Sequence, residues 1–156
     1  MVEGTEGAKG PDGTGGADTD FRPRILVFCC NWCSYAGADL AGVARLQMPA
    51  DFRVLRVMCS GRVKPEFVFK ALEQGIDGVF VLGCHIGDCH YLEGNHRAKK
   101  RFEVLSDMLG HLGLEPGRVM VDWVSASEGA RFQGLITRFV ESIKALGPSP
   151  LGGGRP

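Results

Sequence analysis

Four short apolar runs, each followed by a stretch with helical spacing, constrain this chain more than any other feature. They are residues 24–29 (RILVFC), 54–58 (VLRVM), 78–82 (GVFVL) and 119–124 (VMVDWV). Runs of this length, rich in valine and bounded by glycine or charge, read as strands buried on both faces. Strands that alternate with helices join in parallel through crossovers. The expected fold is therefore α/β, a three-layer sandwich with a parallel, mainly four-stranded sheet and crossover helices.

The helices carry their own start and stop signals. The second begins near Pro65, where a missing N–H costs nothing, and stops at Gly75. The third covers about 95–112, with Ala98, Phe102, Leu105, Leu109 and Leu112 on one side. The fourth opens with Ser125-x-x-Glu128, a capping box, and ends at Gly147 and Pro148. Its stripe is Phe132, Leu135, Ile136, Phe139, Val140, Ile143 and Leu146. The first, about 34–45, is dominated by alanine and glycine, so its backbone must approach a neighbour closely.

Composition sets the limits of the domain. A length of 156 residues suits one domain and leaves no room for separate cofactor and substrate halves. Residues 1–20 hold six glycines, five acids and one base, and residues 147–156 are again mostly glycine and proline. Neither stretch has enough apolar surface to offset the entropy of ordering, so both are expected to be disordered. The remaining 21–146 form the expected folded domain, with sixteen bases, thirteen acids and a charge of about +3. That is too weak to argue for nucleic acid. No run approaches bilayer-spanning length and no secretory pattern opens the chain, so a cytoplasmic protein is expected.

All six cysteines fall at, or just after, the carboxyl ends of predicted strands. Cys29, Cys30 and Cys33 follow the first strand, Cys59 the second, and Cys84 and Cys89 the third. In an open parallel sheet those ends form one rim, where ligand sites sit. Four thiolates including a C-x-x-C pair suit an iron–sulfur cluster, and Cys30-Asn31-Trp32-Cys33 is such a pair. Cys59, Cys84 and Cys89 supply the rest. The helix start after Cys33, with Arg62 and Lys64 after Cys59, favours negative charge there. Structural zinc binds four thiolates equally well, so a zinc-stabilised interaction module stays open. So does a thiol–disulfide protein using Cys30 and Cys33, although it leaves three cysteines without a task. Cys29 ends an apolar run and reads as a core thiol.

Residues 30–39 (CNWCSYAGAD), 56–62 (RVMCSGR) and 83–91 (GCHIGDCHY), with Glu93-Gly94-Asn95, closely resemble the delta subunit of methyl-viologen-reducing hydrogenase. The likeness covers nearly all of 21–146. It implies an electron-transfer subunit with a [2Fe–2S] cluster and no substrate of its own. It further implies partners on two sides, a hydrogenase or formate dehydrogenase and the flavin-containing subunit of heterodisulfide reductase, within an electron-bifurcating complex. The family's cysteines fall on Cys30, Cys33, Cys59, Cys84 and Cys89, one more than a four-thiolate cluster needs.

The neighbouring residues have simpler readings. His85 and His90 flank Cys84 and Cys89 and read as hydrogen-bond donors to the site or loop residues rather than ligands. Trp32 reads as a cover against water, and Tyr35 and Asp39 as hydrogen-bonding partners around the first helix. The run Lys99-Lys100-Arg101, after Arg97, reads as a solvated helix face placed to meet an acidic partner.

Overall fold

A computed structural model of the chain describes residues 20–152. Most of the acidic extension expected at 1–20 and the last four residues of the expected tail lie outside the described residues. Four parallel strands alternate with four helices: β1 (Ile25–Cys30), α1 (Ser34–Val43), β2 (Phe52–Val57), α2 (Pro65–Glu73), β3 (Gly78–Gly83), α3 (Gly94–His111), β4 (Val119–Trp123) and α4 (Gly129–Leu146). The strand order is β2-β1-β3-β4. In register, Cys29 lies opposite Arg56 on one side and Leu82 on the other.

Helices cover both faces, giving the three expected layers. On one face Val27, Cys29, Phe80 and Leu82 meet Ala41 of α1 and Phe132, Ile136, Phe139 and Ile143 of α4. On the other, Phe28, Val79 and Val81 meet Val68 and Leu72 of α2 and Phe102, Leu105 and Leu109 of α3. The small residues of α1 serve a close approach. A Cβ on Gly37 would stand 2.8 Å from the Ser125 carbonyl oxygen and 2.9 Å from Val124 Cγ1, so only glycine fits.

Three expectations need correcting. β2 and β4 are not buried on both faces: they lie at the two sheet edges, where Val54 and Leu55 of β2 are 37% and 47% exposed and Met120 of β4 is 38% exposed. Leu112 caps α3 at 63% exposure, and Leu114 takes its place in the core. α4 begins at Gly129, after the capping box rather than within it. Glu128 does reach back to the Ser125 N–H (2.9 Å), but the Ser125 hydroxyl pairs with Ser127 instead of capping the helix.

Beyond α4 the chain is tied down. Arg118, 1% exposed, donates to the carbonyls of Asp77, Leu146, Gly147 and Pro148 and to the Glu115 carboxylate. It satisfies the helix end, whose last carbonyls have no partner within the helix. Asp77 accepts the N–H groups of Arg24 and Ser149, so residues 148 and 149, read from the sequence as tail, are anchored to the sheet. Arg118→Met is expected to lower stability by about 3 kcal/mol, since it strands several buried carbonyls at once. Urea unfolding followed by circular dichroism checks this, and Arg118→Lys should recover only part of the loss.

Candidate metal centre

The strand order places the site. β2 lies on one side of β1 and β3 on the other, so the sheet has its switch point between β1 and β3, and a crevice opens beyond their carboxyl ends. Cys30 is the last residue of β1 and Cys84 directly follows β3. Their sulfurs are 3.3 Å apart. Cys33, in the turn after β1, joins them: the three sulfurs lie within 4.8 Å of one another. Cys59, just past β2, and Cys89, before α3, form a second pair with sulfurs 3.9 Å apart. Four of these five thiols are buried and Cys33 is half-buried. Cys29 points into the core between the sheet and α4, and burial pushes its thiol up to about 12, so it stays a neutral core residue.

Buried polar side chains fix these positions. The Ser34 hydroxyl accepts the Cys30 N–H and donates to the Leu82 carbonyl, both at 2.7 Å, which clamps the ends of β1 and β3 together. The Asn95 amide donates to the carbonyls of Cys84 (3.0 Å) and His85 (2.7 Å) from the first turn of α3. Arg101 donates to the carbonyls of Gly61 and Val63 and holds the turn that follows Cys59. One member of the expected solvated charge run is therefore a structural clamp. Sequence reading gave none of these three residues a clamping role. Asn95 had a visible signal, because it falls at helical spacing on the same stripe as Ala98 and Phe102.

Electrostatics divide the thiols. Cys30 is lowered to about 5 by its hydrogen bond with the Cys84 thiol, with the N–H of Cys33 also aimed at it (3.4 Å). The same hydrogen bond, together with burial, drives Cys84 far upward. Burial raises Cys33 and Cys59, the latter against the opposing pull of the Gly61 N–H (3.4 Å).

The flanking aromatic and histidine side chains turn away from the sulfurs. His85 Nε2 lies 2.6 Å from Glu128 Oε2, and the Ser125 N–H, with His85 second, holds the Glu128 carboxyl down to about 2. His90 stacks on Trp32 with ring centroids 3.8 Å apart, and Trp32 Nε1 donates to the Tyr91 hydroxyl. This aromatic layer ties the Cys30–Cys33 turn to the Cys89 loop. Among the described residues Tyr35 makes none of the expected hydrogen bonds around α1 but lies under the Arg56 guanidinium, and Asp39 is exposed.

The residues present suit a sulfur-ligated metal group. The donor set is five convergent thiols, and Ser60, beside Cys59, is 1% exposed with a hydroxyl that finds no partner among the described residues. An acceptor added at the rim would satisfy it. Gly94 leaves the space the second pair needs: a Cβ there would fall inside the Cys59 sulfur and 3.2 Å from that of Cys89.

A parallel α/β sheet with five thiols gathered at its topological crevice defines a cysteine-rich metal-binding domain. Within that class, residues 25–147 match the model for methyl-viologen-reducing hydrogenase, delta subunit, and the chain belongs to this family. It is 53% identical over 132 residues to the vhc iron-sulfur subunit of the F420-non-reducing hydrogenase of Methanococcus voltae, covering 85% of this chain and 92% of that protein. The iron-sulfur subunit of the F420-non-reducing hydrogenase of Archaeoglobus profundus is 50% identical over 129 residues, covering 83% and 94%. One subunit of the ferredoxin:CoB-CoM heterodisulfide reductase of Methanosarcina mazei is also 50% identical over 126 residues, 81% of this chain but 16% of that larger protein. No helix among the described residues is long and apolar enough to cross a membrane.

Gly94→Ala is expected to displace Cys59 while leaving the sheet intact. Overpacking of this kind lowers stability by about 1–3 kcal/mol. Mass-spectrometric maleimide labelling of the metal-free chain should show Cys59 reacting severalfold faster than in the parent, with helix content unchanged.

Proposed function

We propose that this chain is an electron-transfer subunit that holds a [2Fe–2S] cluster on the thiol rim. It relays electrons between a hydrogenase, or a formate dehydrogenase, and the flavin-containing subunit of heterodisulfide reductase, within a cytoplasmic electron-bifurcating complex. It has no substrate of its own. The observation that carries this reading is the division of the sulfurs into two close pairs, 3.3 Å and 3.9 Å apart, on one rim. With metal–sulfur bonds of about 2.3 Å, two thiolates on one tetrahedral ion lie roughly 3.8 Å apart. Each pair thus suits one ion, and two pairs suit a two-iron centre. Cys30 and Cys84 would hold one side and Cys59 and Cys89 the other, with Cys33 the spare thiol because it is the most exposed of the five.

When bound, such a cluster supplies a one-electron couple. The chain's own residues tune and protect it. Cysteine ligation alone favours a low potential, and the N–H groups of Cys33 and Gly61 aimed at Cys30 and Cys59 temper it by hydrogen bonding to sulfur. The Trp32–His90–Tyr91 layer limits water on one flank. The relatives support the partners: some are named as hydrogenase iron–sulfur subunits, and in others this domain is one part of a longer heterodisulfide reductase polypeptide.

Anaerobic reconstitution with iron and sulfide, followed by metal analysis and visible spectroscopy, tests the reading. The expected product carries two irons and two sulfides per chain and a brown colour that dithionite bleaches. Cys30→Ser, Cys59→Ser, Cys84→Ser and Cys89→Ser should each abolish the colour, whereas Cys29→Ser and Cys33→Ser should keep it. Colourless protein with stoichiometric zinc, or a metal-free chain cycling a Cys30–Cys33 disulfide, would sink the proposal.

A further inference from the structure

Beside Cys59 a cleft of about 700 Å³ opens to solvent, with Met58, Arg62, Tyr91, Leu92 and Arg97 around it. Its apolar walls are exposed: Met58 is 55% accessible, Tyr91 48% and Leu92 81%. Leu92 is doubly unfavourable, since its backbone is left-handed (φ +68) in a residue with no side-chain hydrogen bond to compensate. Strain combined with an exposed apolar side chain is retained where it serves binding rather than folding.

The charges around the opening are mostly basic. Glu93 is the only acid lining the cleft, and it is engaged by Arg97 at 3.2 Å. Arg62 has no acidic partner among the described residues, and Lys100 stands over a smaller recess that shares Leu92 and Arg97. A second copy of this chain is a poor occupant, because a two-fold contact would set Arg62 and Lys100 against their own kind.

We propose that this cleft is the docking site for an acidic protein loop carrying a large apolar side chain, presented by one of the chain's electron-transfer partners. The apolar group seats among Met58, Tyr91 and Leu92, and carboxylates of the loop meet Arg62 and Lys100. The unbranched thioether of Met58 adapts to the guest. Docking there brings the partner against the wall that carries Cys59. This inference rests on the relay reading for its partner, but the cleft can be tested whether or not a cluster is present.

The test uses the reconstituted full-length chain, titrated separately with the purified hydrogenase and with the flavin-containing heterodisulfide reductase subunit of the same organism. Leu92→Gly separates binding from folding, because glycine accepts positive φ freely and the substitution should raise the unfolding temperature while it weakens one partner. Leu92→Gly and Arg62→Glu are each expected to weaken that partner about tenfold, and Arg62→Glu to flatten the salt dependence. Val43→Asp, at an exposed valine of α1, should stay within about twofold of the parent, as surface changes away from a hot spot do. The visible spectrum should be the same in all variants. Unchanged affinity in both cleft variants, an equal loss in Val43→Asp, or no binding of either partner by the parent overturns the proposal. So does a chain that sediments as a dimer and is split by Leu92→Gly. A parent that binds through the cleft but assembles no cluster would instead overturn the relay reading and leave the docking site standing.

Discussion

Everything at the rim depends on parallel pairing between β1 and β3. Because the two strands run in the same direction and are adjacent, residues leaving their carboxyl ends must emerge side by side, however far apart they lie in sequence. Cys30 and Cys84 meet for that reason. β2, on the far side of β1, ends on the same rim and delivers Cys59, and the Cys89 loop closes over it before α3 begins. An antiparallel arrangement of the same strands would send half of these thiols to the opposite end of the sheet. The hydrophobic sandwich therefore supplies the convergence, and the polar groups at the rim refine it.

Those groups matter because the site works against its own electrostatics. Three sulfurs lie within 4.8 Å of one another and two more pair at 3.9 Å, so they cannot all be thiolates without opposing charge, and burial accordingly raises Cys33 and Cys59 while the contact with Cys30 and burial raise Cys84. Binding a metal group must displace protons from such thiols, so loading weakens as pH falls. Meanwhile the Ser34, Asn95 and Arg101 hydrogen bonds run to the backbone beside the cysteines rather than to sulfur. They hold the geometry in either protonation state.

The sequence showed the strand–helix order and the rim of cysteines because both follow from short-range pattern: period, breaker residues and position after a strand. It also separated Cys29 from Cys30, because Cys29 ends an apolar run, where a thiol behaves as a small core residue. What it did not show is long-range. That β2 would be an exposed edge depends on strand order, which local pattern does not contain. Arg101 looked like its lysine neighbours until the turn after Cys59 was seen packed under it, and Glu128 looked like half a helix cap until His85 was found beside it. Gly94 carries no chemistry at all and is essential only because two sulfurs occupy the volume a methyl group would need.

The contrast between the relatives bears on why an exposed, strained leucine belongs beside the site. Where the same domain makes up 16% of a longer reductase polypeptide, its neighbour is held by covalent linkage at an effective concentration on the order of millimolar. The Methanococcus voltae relative, 92% covered by the match, carries the domain without so large a remainder. Where no tether acts, association comes from surface that is unfavourable when alone and favourable when covered. Met58, Tyr91 and Leu92 have that character, and they stand exposed around the cleft that Cys59 also lines.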